Sequence, residues 1–243
     1  MELRTDKIRA CFDRKIGNFT ELWNLSTNTN YVRCAPRDPL IELYGLKNGE
    51  RVKLSGHISD VAEAPDALIL SYDSFGEYDI SAKVTCRCER DRLVFSAEIC
   101  NHSTIDVTEI LMPHLGGIYL GNGQKDYLIY PHHAGDKTED PAYNYNSCGG
   151  VYIGSHDPRF PVTGVIAETS GDRENPWMAF AFRKYFRIKQ GETYQTGDYV
   201  VCLSDKDWHY GSKVYREYIA PYLDFDHNPE YLQNEYALNQ CYN

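Results

Sequence analysis

The chain has 243 residues, 42% hydrophobic and 25% charged, which is long enough to bury most of its apolar surface without disulfide or metal staples. Its formal net charge of −10 excludes nucleic acid and anionic membrane as partners, since both demand a basic patch that displaces counterions. Neutral sugars remain compatible with such a surface.

In chain order, Ile8 to Phe12, a Gly17-Asn18 turn and Phe19 to Trp23 read as strand, turn, strand. Leu40 to Tyr44 and Arg51 to Ile58 flank the Asn48-Gly49 turn signal. From Ile80 to Glu89 the even positions Ile80, Ala82, Val84, Cys86 and Cys88 are apolar. From Leu93 to Ile99 the odd positions Leu93, Phe95, Ala97 and Ile99 oppose Val94, Ser96 and Glu98. With the Arg90-Asp91 reversal between them, these form an antiparallel hairpin with one buried face. Asn101-His102-Ser103 turns the chain, and Val107 to Met112 continues the meander.

Pro113 to Gly123 is glycine-rich, and Tyr130 to Gly150 is the longest irregular stretch, the kind of loop that is usually functional or mobile. Strands resume at Val151 to Ser155, Val162 to Glu168, Trp177 to Phe182 and Tyr194 to Leu203. Roughly a dozen strands with no helix between them predict an all-β fold of antiparallel sheets packed face to face, not βαβ units.

An amphipathic helix follows from Asp207 to Leu223, with Ser204 or Asp205 as its cap and Asp207 in its first turn. Trp208, Ser212, Tyr215, Ile219 and Tyr222 fall at helical spacing, and Pro221 ends or kinks the helix. Asp226 to Pro229 reads as a turn, and Glu230 to Leu238 as a short further helix. Trp177 and Trp208 are expected in the core; alternatively Trp208 and Tyr215 anchor the helix on the sheets. The 20 tyrosines suit sugar contact, since a ring stacks while its hydroxyl stays wet. The plainer reading places them half-buried on pleated faces.

Eight cysteines are scattered through strand-like segments with no CxxC pair, which excludes a structural zinc site of that type. Cys86 and Cys88 share a face with Ile80, Ala82 and Val84, as small core hydrophobes do. Met1 to Asp13 has no apolar signal region and no run reaches membrane-spanning length, so a reduced, cytoplasmic protein is expected.

The residues also carry a resemblance. Phe12-Asp13 through Gly17-Asn18-Phe19-Thr20-Glu21-Leu22 resembles the first hairpin of galactose-mutarotase-like supersandwiches that precede glycoside hydrolase barrels. Val107-Thr108-Glu109-Ile110-Leu111-Met112-Pro113-His114-Leu115-Gly116-Gly117 looks like their mid-sandwich strand. Gly154-Ser155-His156-Asp157-Pro158 is similar to their strand-ending turn. Lys206-Asp207-Trp208-His209-Tyr210-Gly211-Ser212-Lys213, with Tyr215-Arg216, looks like their linker helix.

The chain thus resembles the sandwich half of glycoside-hydrolase-like proteins grouped by a domain of unknown function, distantly related to α-galactosidase and endo-α-N-acetylgalactosaminidase architectures. The resemblance implies an antiparallel β-supersandwich over residues 1–204 and a helical linker over 205–243 leading toward a (β/α)8 barrel. That barrel is absent: about twenty residues follow Leu223, where a barrel needs about 250. It implies a non-catalytic domain that docks, shapes or covers a sugar cleft, with a missing or separate barrel as partner. The face of Trp208, Tyr215, Ile219 and Tyr222 would be its docking surface or that of a second copy. A stand-alone carbohydrate-binding module and a mutarotase-like epimerase are the alternatives.

Candidate chemistry is sparse. His156, Asp157 and Arg159 lie on one turn and could hydrogen-bond sugar hydroxyls, as could His132, His133 and Tyr143 in the long loop. The competing account gives Asp157 an Asx-turn before Pro158 and pairs Arg159 with a carboxylate. His132 and His133 point to opposite faces of any strand. No Asp, Glu or Cys stands at a ligand spacing from them or from His114, so no metal or other cofactor is expected. An epimerase needs a general acid and a general base, which His114, His156 and Glu168 would supply only by converging. With 35 acidic residues, a glycosidase-like carboxylate spacing arises by chance, and no catalytic residue is assigned.

Overall fold

A computed structural model describes residues 1–34, 38–119, 127–130, 136–139, 149–170 and 177–223. The strands are β1 (Glu2–Arg4), β2 (Ile8–Phe12), β3 (Phe19–Asn24), β4 (Thr29–Asn30), β5 (Glu42–Lys47) and β6 (Glu50–Leu54). They continue as β7 (Asp60–Ala64), β8 (Ala67–Tyr72), β9 (Ile80–Glu89), β10 (Arg92–Asn101), β11 (Asp106–Leu111) and β12 (Leu115–Ile118). A separate hairpin, β13 (Tyr127–Tyr130) and β14 (Asp136–Glu139), precedes β15 (Gly150–His156) and β16 (Thr163–Thr169). The last strands are β17 (Met178–Ile188), β18 (Thr193–Gln195) and β19 (Asp198–Ser204). Helix α1 (His209–Ile219) runs into a 3₁₀ turn at Ala220–Tyr222.

These elements form the antiparallel sandwich that the alternating pattern predicts. One sheet orders β7-β8-β9-β10-β19-β15, with β18 also on β10. The other orders β6-β5-β11-β17, with β11 and β12 sharing one edge of β17 and β16 on the opposite edge. Between them pack Leu43, Val107, Ile110, Phe182 and Ile188 from one side and Leu70, Val84, Phe95, Tyr199 and Val201 from the other. The small sheet β1 to β4 caps this core through Phe12 and Phe19, whose rings lie 4.8 Å apart; Phe19 meets Phe95 edge-on at 6.0 Å.

Local chemistry sets the hairpins. Asn48 and Gly49 both adopt positive φ, 54° and 84°, the two-residue turn whose twist matches the flanking strands β5 and β6. Arg90 takes φ 54° between β9 and β10, which pair over their full length. Strands β1, β4, β7, β8, β12, β13 and β14 are not among those expected, and β14 falls within the stretch read as irregular. The expected Trp177 to Phe182 strand runs on to Ile188, as Met178–Ile188, because Arg183, Lys184 and Arg187 of its second half find carboxylate partners.

The helix departs from expectation in which face it buries. It lies on the outer side of the larger sheet, where Val214 packs with Val94, Val200 and Cys202, flanked by Tyr152 and Tyr210. Val94, expected on the exposed face of its hairpin, is therefore covered. Gly211 lets the helix close on Tyr152: an added Cβ would stand 3.0 Å from that ring. Trp208 is not core; it is 51% exposed, and Tyr215 and Tyr222 are exposed with it. Neither Ser204 nor Asp205 caps α1. Asp207 Oδ1 instead accepts the His209 N–H at 3.2 Å. The turn and helix expected beyond Asp226 lie outside the described residues. Among the described residues no helix is long and apolar enough to cross a membrane.

Asn101 closes β10 onto the opposite sheet. Fully buried, it donates to the carbonyls of Ile105 (2.8 Å) and Ile188 (2.9 Å) and accepts the Ser103 N–H. Asn101→Ala should cost roughly 1–3 kcal/mol for each buried group left unsatisfied, read as a lower urea midpoint at unchanged slope.

Candidate functional site

The turn after β15 is built around a buried carboxylate. Asp157 accepts the Arg159 backbone N–H at 3.1 Å, the expected Asx-turn, and both carboxylate oxygens take the Arg159 guanidinium at 2.9 and 2.8 Å. Lys184 of β17, 0% exposed and 2.9 Å from Asp157 Oδ2, adds a second cation. Lys184 also donates to the Thr196 carbonyl, and its ammonium sits 4.4 Å from the Tyr199 ring centre. Burial alone would raise the Asp157 pKa, but hydrogen bonds from Arg159 and then Lys184 outweigh it and hold the carboxyl at about 2. Both oxygens of Asp157 are thus engaged inside the protein, as the Asx-turn account of this turn expects.

His156 is placed otherwise. Along the outward face of β15, Tyr152 lies across Gly154, whose added Cβ would fall 2.1 Å from the phenol oxygen. The Tyr152 hydroxyl meets His156 Nε2 at 2.9 Å, and the imidazole stacks on Tyr218 of α1 at 4.2 Å. Burial, helped by the nearby Arg92 charge, pushes the His156 pKa down to about 4, so the ring is neutral at pH 7. The stack continues outward: Phe160, held at φ 49°, meets Tyr222 edge-on at 5.2 Å, and Tyr218 lies 5.6 Å from Tyr222. Trp208, Phe160, Tyr215 and Tyr222 are exposed and Ile219 is half-buried, giving α1 and the turn an aromatic surface.

A second polar group stands at the other sheet. His114 follows β11, Glu42 opens β5, and Asp38 precedes it. One ligand atom from each lies within 4.8 Å of the others, with His114 Nε2 4.0 Å from Asp38 Oδ2. Glu42 accepts from Lys53 Nζ at 2.7 Å and from the Tyr44 hydroxyl at 2.9 Å. Alongside, Arg51 grips Glu109 with two hydrogen bonds, 2.7 and 3.0 Å, and lies over the Tyr44 ring at 3.7 Å. Sequence spacing missed this convergence because Asp38 and Glu42 are remote from His114 in the chain. Glu168 is exposed on β16, and His156 belongs to the other sheet, so neither joins His114. His132, His133 and Tyr143 lie outside the described residues.

The sheet order and the closing helix define a galactose-mutarotase-like β-sandwich. The chain is similar to a galactose mutarotase-like protein from Lactobacillus casei ATCC 334, with a TM-score of 0.50 at 12% identity, over 84% of this chain and 99% of that one. It is similar also to the GH36 α-galactosidases AgaA and AgaB from Geobacillus stearothermophilus, each with a TM-score of 0.51 over 89% of this chain, at 11% and 10% identity. It spans 42% of the length of AgaA and 41% of AgaB. At such identities the likeness is one of fold. No protein-family model and no curated protein sequence matches the chain.

Two outcomes follow. Asp157→Ala leaves the Lys184 ammonium buried without a counter-charge and should cost about 3–5 kcal/mol in guanidinium denaturation. Lys184→Met, which leaves Asp157 paired with Arg159, should cost less. The pH dependence has two windows. The His156 pKa is lowered on folding, so its contribution is complete above the unfolded value of 6.5 and lost as pH falls toward about 4. That of Asp157 is complete above 3.8 and lost toward about 2. Urea midpoints measured from pH 7.5 to 4 should fall in the wild type and stay flatter in His156→Gln.

Proposed function

We propose that this chain is a sandwich domain of the glycoside-hydrolase type that supports or shapes a carbohydrate site and is not a catalyst by itself. The observation that carries the reading is the exposed aromatic surface of Trp208, Phe160, Tyr215 and Tyr222. Flat rings with polar edges match the apolar face and hydroxyl rim of a sugar, and a chain of net charge −10 suits a neutral ligand. That Asp157 is held by both Arg159 and Lys184 also argues against its acting as a hydrolytic carboxylate at this turn. The same surface would seat a barrel domain or a second copy of the chain.

One specific observation favours a second reading, an aldose epimerase: a histidine and two carboxylates, His114, Asp38 and Glu42, converge as an acid–base pair requires. One set of measurements separates the two. Titration of the chain with galactose and galacto-oligosaccharides should shift NMR signals of α1 and of residues 156–160, and Trp208→Ala with Tyr222→Ala should remove the shifts. Neither aryl glycoside hydrolysis nor galactose mutarotation should exceed the buffer rate. Accelerated mutarotation that His114→Ala abolishes would replace the first reading with the second.

A further inference from the structure

Asp38 and Glu42, from the stretch that leads into β5, and His114, from the turn after β11, reach one point, and two of the three are deeply placed. His114 is 7% exposed and Glu42 4%. A neutral imidazole carries one N–H and one lone pair, and burial makes both costly to leave unmatched. Nδ1 of His114 is buried with no hydrogen-bond partner among the described residues. Nε2 reaches toward Asp38 Oδ2 at 4.0 Å, too far for a hydrogen bond. Among the described residues, neither ring nitrogen of His114 is shown with a hydrogen-bond partner within normal distance.

The backbone around it is clamped. The fully buried Asn18 side chain donates to the carbonyls of both Asp38 (2.9 Å) and His114 (2.6 Å), tying the two ligand-bearing segments together. The His114 N–H donates to the Leu40 carbonyl at 3.0 Å, joining the same turn to the stretch that leads into β5. Holding ligand-bearing backbone in place before a ligand arrives is what a supporting shell does in a built site.

We propose that Asp38, Glu42 and His114 form a binding site for a divalent first-row cation, with Zn²⁺ the best match. One imidazole nitrogen and two carboxylate oxygens are the donors zinc accepts, whereas calcium and magnesium favour oxygen alone. Two carboxylates neutralise the ion, and three protein ligands leave a fourth position for water or a substrate oxygen. Zinc at about 2.0–2.2 Å from each donor needs them within about 4 Å of one another, so the half-exposed Asp38 need rotate only slightly.

Lys53 supplies the signature. Its ammonium occupies Glu42 Oε1 at 2.7 Å, on a side chain about half exposed. Cation and lysine therefore compete for the same oxygen. The inference is independent of the carbohydrate reading, which concerns α1 and the turn after β15.

The test uses the full chain, stripped with chelator and titrated with Zn²⁺ in competition with a chromophoric chelator. Co²⁺ provides a second readout through its visible absorption. One equivalent should bind. Asp38→Asn, at a half-exposed position that leaves the fold intact by circular dichroism, and His114→Asn should each weaken binding by about tenfold or more. Lys53→Met should tighten it. The proposal is overturned if no equivalent binds, if Asp38→Asn and His114→Asn leave affinity unchanged, as they would for zinc on cysteines or other histidines, or if Lys53→Met weakens binding. Should His114→Asn fail to fold, the opposite responses of Asp38→Asn and Lys53→Met still decide. None of these readouts requires sugar, so failure here leaves the carbohydrate reading standing.

Discussion

The structure depends on β19, which is buried on both faces, and on its neighbour β10, whose outer face is covered at Val94. In β10, Leu93, Phe95, Ala97 and Ile99 face the opposing sheet while Val94 faces the helix, and in β19 every residue from Tyr199 to Leu203 is buried. A strand covered on one side only leaves its other face to water; here Val94, Val200 and Cys202 require a lid, and Val214 of α1 supplies it. From that seat the rest of the site follows. Helix α1 places Tyr218 against His156, and β15, paired to β19, holds Tyr152 where its hydroxyl meets the same imidazole.

Much of the fold was legible because its signals are local. The β9–β10 hairpin could be read from alternation and one tight reversal, and the β5–β6 turn from Asn48-Gly49. The pattern weakened where strands are short or edge-placed: β1 offers one buried residue, Leu3, and β7 buries none. The second half of β17 was illegible because Lys184 points inward, and only a partner brought from another strand makes that tolerable. For α1 the helical period was correct, yet periodicity cannot say which stripe a sheet selects. The sheet took Tyr210, Gly211 and Val214, where a missing Cβ permits close approach, over the more aromatic stripe.

The candidate sites divide the same way. The Asx-turn at Asp157 and its pairing with Arg159 could be read from four adjacent residues, but the Lys184 that completes the network could not. The meeting of His114 with Asp38 and Glu42 rests on long-range sheet pairing and on Asn18, an amide whose two carbonyl partners lie far apart in sequence. No spacing rule finds such a group, since spacing rules describe ligands delivered by a single element.

The outermost strands have a consequence for how copies of this protein meet. Strand β6 carries Arg51 and Lys53, and β7 carries Asp60 and Glu63, so two strands that end their sheets among the described residues are rich in charge. Such side chains discourage one sheet from extending another, the route by which β-rich proteins form fibrils. A sandwich armed in this way can afford a broad aromatic face elsewhere without inviting runaway polymerisation.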